Sequence, residues 1–186
     1  MFVIVPESWK CPLPADVRVV RRGPVPADNH ELVRSALSRG ERLFVIGTEG
    51  VSRRNCFAVA EDHIALFGSS ALAGPNRDEL GPRFPSLMGM YLAPEGDWER
   101  GVIAGVPDWR LATPAERKLL GALAMVSRGI DEAEIAGHGG AKVLLLARCH
   151  GWDSVNIRHA PLSEAARAAG DLFNTMITEG GEEREL

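Results

Sequence analysis

Apolar positions in this chain fall into short continuous runs separated by stripes of helical spacing. Phe2-Val3-Ile4-Val5, ended by Pro6, predicts a buried first strand. Val17-Arg18-Val19-Val20 is a second, partly apolar segment whose type stays open. Gly23-Pro24-Val25-Pro26 is a turn or linker. A helix follows, with Asp28 as its cap and Glu31 closing a capping box. Leu32, Val33, Ala36 and Leu37 form its apolar stripe, and Gly40 sits at its stop. Leu43-Phe44-Val45-Ile46 predicts another buried strand. Gly47-Thr48-Glu49-Gly50 lies at its C-terminal end, where open α/β sheets bind ligands.

Two further strand segments, Phe57 to Ala60 and Ile64 to Phe67, precede an irregular stretch rich in Gly and Pro over residues 68–86. A loop of that length inside a domain is usually functional or an interaction surface. Val102-Ile103-Ala104 reads as a short strand. Thr113-Pro114-Ala115-Glu116 starts a helix, with Thr as N-cap, Pro at N1 and Glu at N3. Leu119, Leu120 and Leu123 continue it or its packing face. Asp131 and Glu134 open another short helix closed by Gly137, and Val143 to Ala147 is the clearest buried strand. A last helix is expected over residues 161–178, then an acidic tail over 179–186. This alternation predicts one α/β domain over residues 1–186.

Hydrophobic residues make up 45% and charged residues 25% of the 186, which suits a globular domain with a real core. The net charge of -4 gives no basic stripe for nucleic acid. Arg21-Arg22 and Arg53-Arg54 read as solvated doublets. No apolar run is long enough to span a membrane, and the start lacks a basic segment of the kind that opens a signal peptide. Cys11, Cys56 and Cys149 are odd in number and scattered, so neither a disulfide framework nor a zinc site is expected. Reduced thiols in a cytoplasmic protein are the expectation, with no cofactor.

Residues 62–91 change the picture. Asp62, His63, Ile64, Leu66, Gly68, Leu72, Gly74, Pro75, Asn76, Gly81, Arg83, Phe84, Pro85, Met88 and Tyr91 follow one another at fixed spacing. The stretch resembles the trimeric purine nucleoside phosphorylase family, whose pattern runs D-H-I-N-L, G, N-P-L, G-P-N, G-x-R-F-P, M, Y. The resemblance covers roughly residues 40–178, including Thr113-Pro114-Ala115-Glu116 against the family's T-P-A-E. It implies a phosphorylase-like three-layer α/β/α sandwich with a central mixed sheet, shortened and divergent over residues 1–40. It also implies a homotrimer, a nucleoside or purine ligand, and phosphate as co-substrate if the chain is active.

The departures from the family pattern fall on its chemistry. Where the family opens with a Gly-Ser-Gly phosphate loop, this chain has Glu7-Ser8-Trp9, and no G-R-x-H motif precedes residue 62. The family's purine-bonding Glu and its aromatic neighbour correspond to Ala112 and Leu111. Its V-G-M-S motif falls on Met125-Val126-Ser127-Arg128, and its later T-N near His150-Gly151. Its T-N-A-A-G loop appears as Thr48-Glu49-Gly50-Val51-Ser52, or one residue shifted, and a carboxylate at Glu49 repels phosphate.

By the resemblance, Phe84 crosses a subunit interface and covers the neighbour's sugar site; the alternative is a core or interface anchor that touches no ligand. His159 stands near the family's sugar-contacting His and is the one catalytic candidate, although Pro161-Leu162-Ser163 matches that lead-in better and puts Glu164 there, which leaves a surface His as the competing reading of His159. Thr48, Gly50, Phe84 and Arg128 are the ligand-binding candidates, with a salt bridge as the competing role of Arg128. His63 is expected to brace structure with Asp62, and Asn76 to satisfy a turn. Cys149-His150 looks like a nucleophile and base, but neighbours on a strand point apart. Two functions follow. One is a descendant without classical phosphorolysis, binding a small molecule or serving as an oligomeric interaction protein. The other is an active nucleoside phosphorylase with a rebuilt site.

Overall fold

The computed structural model describes residues 1–9, 18–68, 70–94 and 98–152. The helix and tail expected beyond residue 160, together with Cys11 and His159, lie outside them. Among the described residues the elements run β1 (Phe2–Val5), β2 (Arg18–Arg21), α1 (Pro26–Ser38), β3 (Leu43–Ser52) and β4 (Cys56–Ala65). After these come β5 (Glu99–Gly105), α2 (Pro114–Leu120), β6 (Ala124–Val126), α3 (Ile130–His138) and β7 (Lys142–Gly151).

The strands form one mixed sheet in the order β2-β1-β3-β6-β5-β4-β7, and β3 also pairs with β7. That extra pairing closes β3, β6, β5, β4 and β7 into a barrel-like ring, with β1 and β2 as a parallel extension. The expected central layer is thus strongly curled. α1 and α3 pack on each other, and Val33, Ala36 and Leu37 of α1 share a core with Ile130, Ala133, Ile135 and Ala136 of α3. Phe2, Ile4, Phe44, Ile46, Val143 and Leu145 meet them from the sheet. The alternate residues Val3, Val5, Val45, Leu144 and Leu146 point the other way and pack with Trp9. This is the period-two alternation of strands buried on both faces.

Several local expectations need correction. Helix α1 starts at Pro26, not after Asp28, and no side chain caps it. Proline's fixed φ and missing N–H suit the first helical position, so Pro26 sets the start. The turn before it is held by Asn29, fully buried, whose amide accepts from the Gly23 N–H at 2.9 Å and donates to the Gly23 and Val25 carbonyls. β3 does not end at Ile46; its pairing with β7 continues to Ser52. The two strands expected over 57–67 are one, β4, with a register shift between Ala60 and Asp62 that leaves Glu61 as the extra residue of a bulge. α3 runs through Gly137, where an added Cβ would stand 2.5 Å from Met90 Sδ, so this glycine is a packing contact inside the helix. α2 has the full Thr113–Glu116 capping box and ends on Gly121 in the left-handed region.

The irregular loop after β4 is pinned to α3. His138 Nε2 lies 3.1 Å from the Pro82 carbonyl, and a Cβ on Gly81 would stand 2.1 Å from the His138 carbonyl oxygen. Asn76 donates to Gly81 O at 3.1 Å and Asp78 at 2.6 Å, a turn role as expected. His63 does brace structure, but its ring lies between Tyr91 Oη at 3.0 Å and Glu134 Oε1 at 3.4 Å; Asp62 instead accepts from the His63 backbone N–H.

Candidate functional site

The site follows from how β3 shares one edge. β1 pairs with Phe44, Val45 and Ile46, whereas β6 pairs with Gly50, Val51 and Ser52. Between them, at Gly47-Thr48-Glu49, the sheet splits, and β7 occupies the opposite edge along the whole strand. A crevice at the carboxyl ends of parallel strands where the order divides is the usual ligand position in α/β sheets. Here it is a cleft of about 400 Å³ between Pro6-Glu7-Ser8, Arg22-Gly23-Pro24, Thr48-Glu49, Trp109 and Ser127-Arg128.

Of the sequence candidates, the cleft brings together Thr48 and Arg128. The Thr48 hydroxyl is buried and donates to the Arg128 carbonyl at 2.8 Å, tying β3 to the segment after β6. Arg128 makes no ion pair among the described residues; Nη2 donates to the Pro24 carbonyl at 3.0 Å, and the buried Nη1 has no hydrogen-bond partner. Gly50 pairs with Val126, and a Cβ there would stand 2.3 Å from the Met125 carbonyl oxygen. It permits close strand approach and does not line the cleft. Phe84 is 89% exposed on the 68–91 loop and also lies outside it. His159 lies outside the described residues.

Sequence reasoning missed Arg22. Read as half of a solvated doublet, its side chain is buried: Nε donates to Glu132 at 2.8 Å and Nη1 to the Gly47 carbonyl at 2.8 Å, while Nη2 has no partner among the described residues. A doublet carries no sign of a partner so far along the chain. Burial pushes the Glu132 carboxyl up to about 7, with Asp131 adding to the push and Arg22 opposing it. Burial also acts on Asp131, but hydrogen bonds from His30, 2.6 Å away, and from Glu132 prevail and hold it below its ordinary range.

A second carboxylate, Glu49, stands at the cleft and stays charged. Burial raises it, but the Ser8 hydroxyl at 2.7 Å and the Arg148 guanidinium outweigh that and hold it ionised below its ordinary value. Trp109 forms the aromatic wall: its ring stacks on His150 at 5.8 Å between centroids, and its backbone N–H donates to the Ser127 hydroxyl at 2.8 Å. Cys149 is buried in the main core while its neighbour His150 meets Trp109, so the two side chains point apart. The cleft therefore offers two guanidinium groups, each with one N–H donor unpaired among the described residues, the hydroxyls of Ser8, Thr48 and Ser127, the ionised carboxylate of Glu49 and an aromatic face. Ala112 and Leu111 add no polar atom: Ala112 is buried beside Met125, and Leu111 is 77% exposed.

A roomier cleft of about 940 Å³ lies elsewhere, between the start of β5 and α2. Arg53, Arg54, Arg100, Arg117 and Lys118 line it against the single carboxylate of Glu99. The Arg53-Arg54 doublet thus belongs to a cationic surface, and Thr48, Gly50, Phe84 and Arg128 do not line it. Among the described residues no group of acidic, His or Cys side chains is arranged to hold a metal ion.

No family model and no curated protein matches the sequence. Solved structures do match by shape. A purine nucleoside phosphorylase in complex with ribose-1-phosphate superposes with a TM-score of 0.73 at 17% identity, covering 95% of this chain and 88% of that one. A schistosoma purine nucleoside phosphorylase in complex with hypoxanthine gives 0.71 at 19% identity over 95% and 88%. The Schistosoma mansoni enzyme in complex with inosine gives 0.68 at 17% over 96% and 88%. The chain has the fold of the purine nucleoside phosphorylases.

Proposed function

We propose that the protein binds a nucleoside-class small molecule in the cleft between β1, β3 and Arg128, without the family's classical phosphorolysis. The observation that carries this reading is Glu49. Its ionised carboxylate stands at the split in the sheet, held by Ser8 and Arg148. A bound phosphate dianion would meet that charge, and the loop that cradles phosphate in the family is replaced by Glu7 and Ser8. On the base side, Ala112 supplies no acceptor for a purine ring N–H. Trp109 still offers an aromatic face for a base. The reading includes three-layer packing around the mixed sheet, a homotrimer built on the Phe84 loop, and a cytoplasmic setting.

A second reading is kept because of one observation. Arg22 and Arg128 both line the cleft, and each has a buried N–H group without a partner among the described residues. Donors of that kind could hold phosphate in a rebuilt site, and the protein would then cleave a purine nucleoside with phosphate as co-substrate.

Calorimetry with inosine, guanosine and adenosine, followed by assay of base release with and without phosphate, separates the two. Nucleoside binding without base release supports the first reading. Phosphate-dependent release establishes the second. Absence of binding by any nucleoside overturns both.

A further inference from the structure

Cys56 of β4 and Cys149 of β7 are direct partners in the antiparallel register. Directly opposed residues in such a pair have Cα atoms about 4.5–5.5 Å apart, inside the roughly 4.4–6.8 Å range that a disulfide spans. The two side chains lie on the same face, since Cys149 belongs to the main core and Cys56 packs against it. Both thiols are free. Cys149 is 2% exposed, whereas Cys56 is only partly buried and can meet solvent. We propose that Cys56 and Cys149 are a thiol pair that a hydroperoxide converts to a reversible cross-strand disulfide, with Cys56 attacked first.

The surroundings divide the roles. Contact with Cys149 pulls the Cys56 thiol down to about 7; Ser52 and Arg54 help, while burial and Glu99 oppose. Contact with Cys56, burial and Glu99 push the Cys149 thiol up. The accessible sulfur thus carries thiolate near neutral pH and the enclosed one keeps its proton.

The chemistry balances. The Cys56 thiolate attacks one oxygen of the hydroperoxide, the O–O bond breaks, and Cys56 becomes a sulfenic acid while the departing oxygen takes a proton. The Cys149 sulfur then attacks Cys56 sulfur, the S–O bond breaks, and the leaving hydroxide takes the Cys149 proton as water. With hydrogen peroxide, two thiols become one disulfide and the oxidant becomes two waters. The new bond would tie β4 to β7 beside His150, the residue stacked on Trp109 in the cleft.

The test uses the full chain with Cys11→Ser, treated with hydrogen peroxide, alkylated and examined by intact and peptide mass spectrometry. The expected result is loss of both alkylatable thiols, loss of two hydrogens in mass, and a Cys56–Cys149 linked peptide that dithiothreitol removes. The reaction should run about ten times faster at pH 8 than at pH 6, following the thiolate fraction of a group near 7. In Cys149→Ala, Cys56 should accumulate as a sulfenic acid trapped by dimedone; Cys56→Ser should leave Cys149 reduced. Retention of both thiols in the Cys11→Ser protein would overturn the proposal. So would advance of Cys56 to sulfinic acid with no linked peptide.

Discussion

Glu49 and Arg148 stand opposite each other across the β3–β7 pairing, and the guanidinium, 2% exposed, donates to the carboxylate. Arg148 Nε and Nη1 have no hydrogen-bond partner among the described residues, so Glu49 is its main compensation. Removing one member of a buried pair leaves the other charge stranded. Glu49→Ala should therefore destabilise by about 3 kcal/mol, and Glu49→Gln, which keeps an acceptor, by about 1–2 kcal/mol. Urea unfolding at neutral pH checks both values. Because the folded carboxyl titrates below its ordinary value, its contribution is full above about pH 4.5 and fades as pH falls through the folded pKa. Wild type should lose stability with acid in that window more steeply than Glu49→Gln.

Tyr91 gives an optical test of the loop. It is the only tyrosine in the chain, and its hydroxyl lies 3.0 Å from His63 Nδ1 in the bridge to Glu134. Burial, with Glu134 and Asp62 adding to it, pushes the phenol well above its ordinary value. The folded protein should show no phenolate absorbance at about pH 11, where a free tyrosine is mostly ionised. Since the folded pKa is raised, the stabilisation is full below about pH 10 and is lost as pH climbs above it. Phenolate appearing near pH 10 in a protein still folded by circular dichroism would refute the enclosure. Tyr91→Phe should cost about 1 kcal/mol.

How far the sequence carried the fold depends on the range of each interaction. The capping box at Thr113–Glu116 spans four residues and was legible outright. The buried run of β7 was legible because both faces are covered, which makes the segment uniformly apolar. Closure of the ring was not, because it depends on pairing Leu43–Ser52 with Lys142–Gly151, and polar residues such as Thr48, Glu49 and Arg148 hide that register. The same holds for the cleft. Thr48 and Arg128 were reached through motif position, but Arg22 pairs with Glu132 at a separation of 110 residues that no local pattern announces. Gly50 was read as a ligand residue because it falls where the resemblance puts the family's T-N-A-A-G loop; its place beside the Met125 carbonyl shows a backbone reason for the glycine.

That reason predicts the effect of Gly50→Ala. The new Cβ would lie 2.3 Å from a backbone oxygen and 2.8 Å from Val126 Cγ1, so β6 would have to move. Overpacking of this kind costs about 1–3 kcal/mol, and a backbone atom as the clash partner puts the expectation at the upper end. Thermal unfolding checks it. An unchanged melting temperature would mean that β3 and β6 approach less closely than the structure has them.

In the cleft, Arg128→Ala should weaken binding of an anionic or nucleoside ligand at least tenfold, because it removes the buried Nη1 donor, which has no partner among the described residues. Thr48→Val removes only the bond that positions Arg128, so it should weaken binding less and cost about 1 kcal/mol of stability. Calorimetric titration of both variants reads the difference. Equal affinity of Arg128→Ala and wild type for the same ligand would move the binding site away from this cleft.

Phe84 and Met88 are 89% and 92% exposed on a loop otherwise pinned to α3 by Gly81 and His138. Two large apolar side chains held outward on a fixed loop lose little further freedom when a second surface covers them, which favours a subunit contact. Light scattering on a sizing column should therefore give three times the chain mass of 20.1 kDa. Phe84→Ser with Met88→Ser should shift the protein toward the single-chain mass without lowering its intramolecular stability, since neither side chain is buried within the chain. If wild type already runs at the single-chain mass at micromolar concentration, the loop is not the trimer contact, and Phe84 cannot reach a neighbour's cleft. If the double variant remains trimeric, another face holds the assembly and Phe84 is spared for ligand contact.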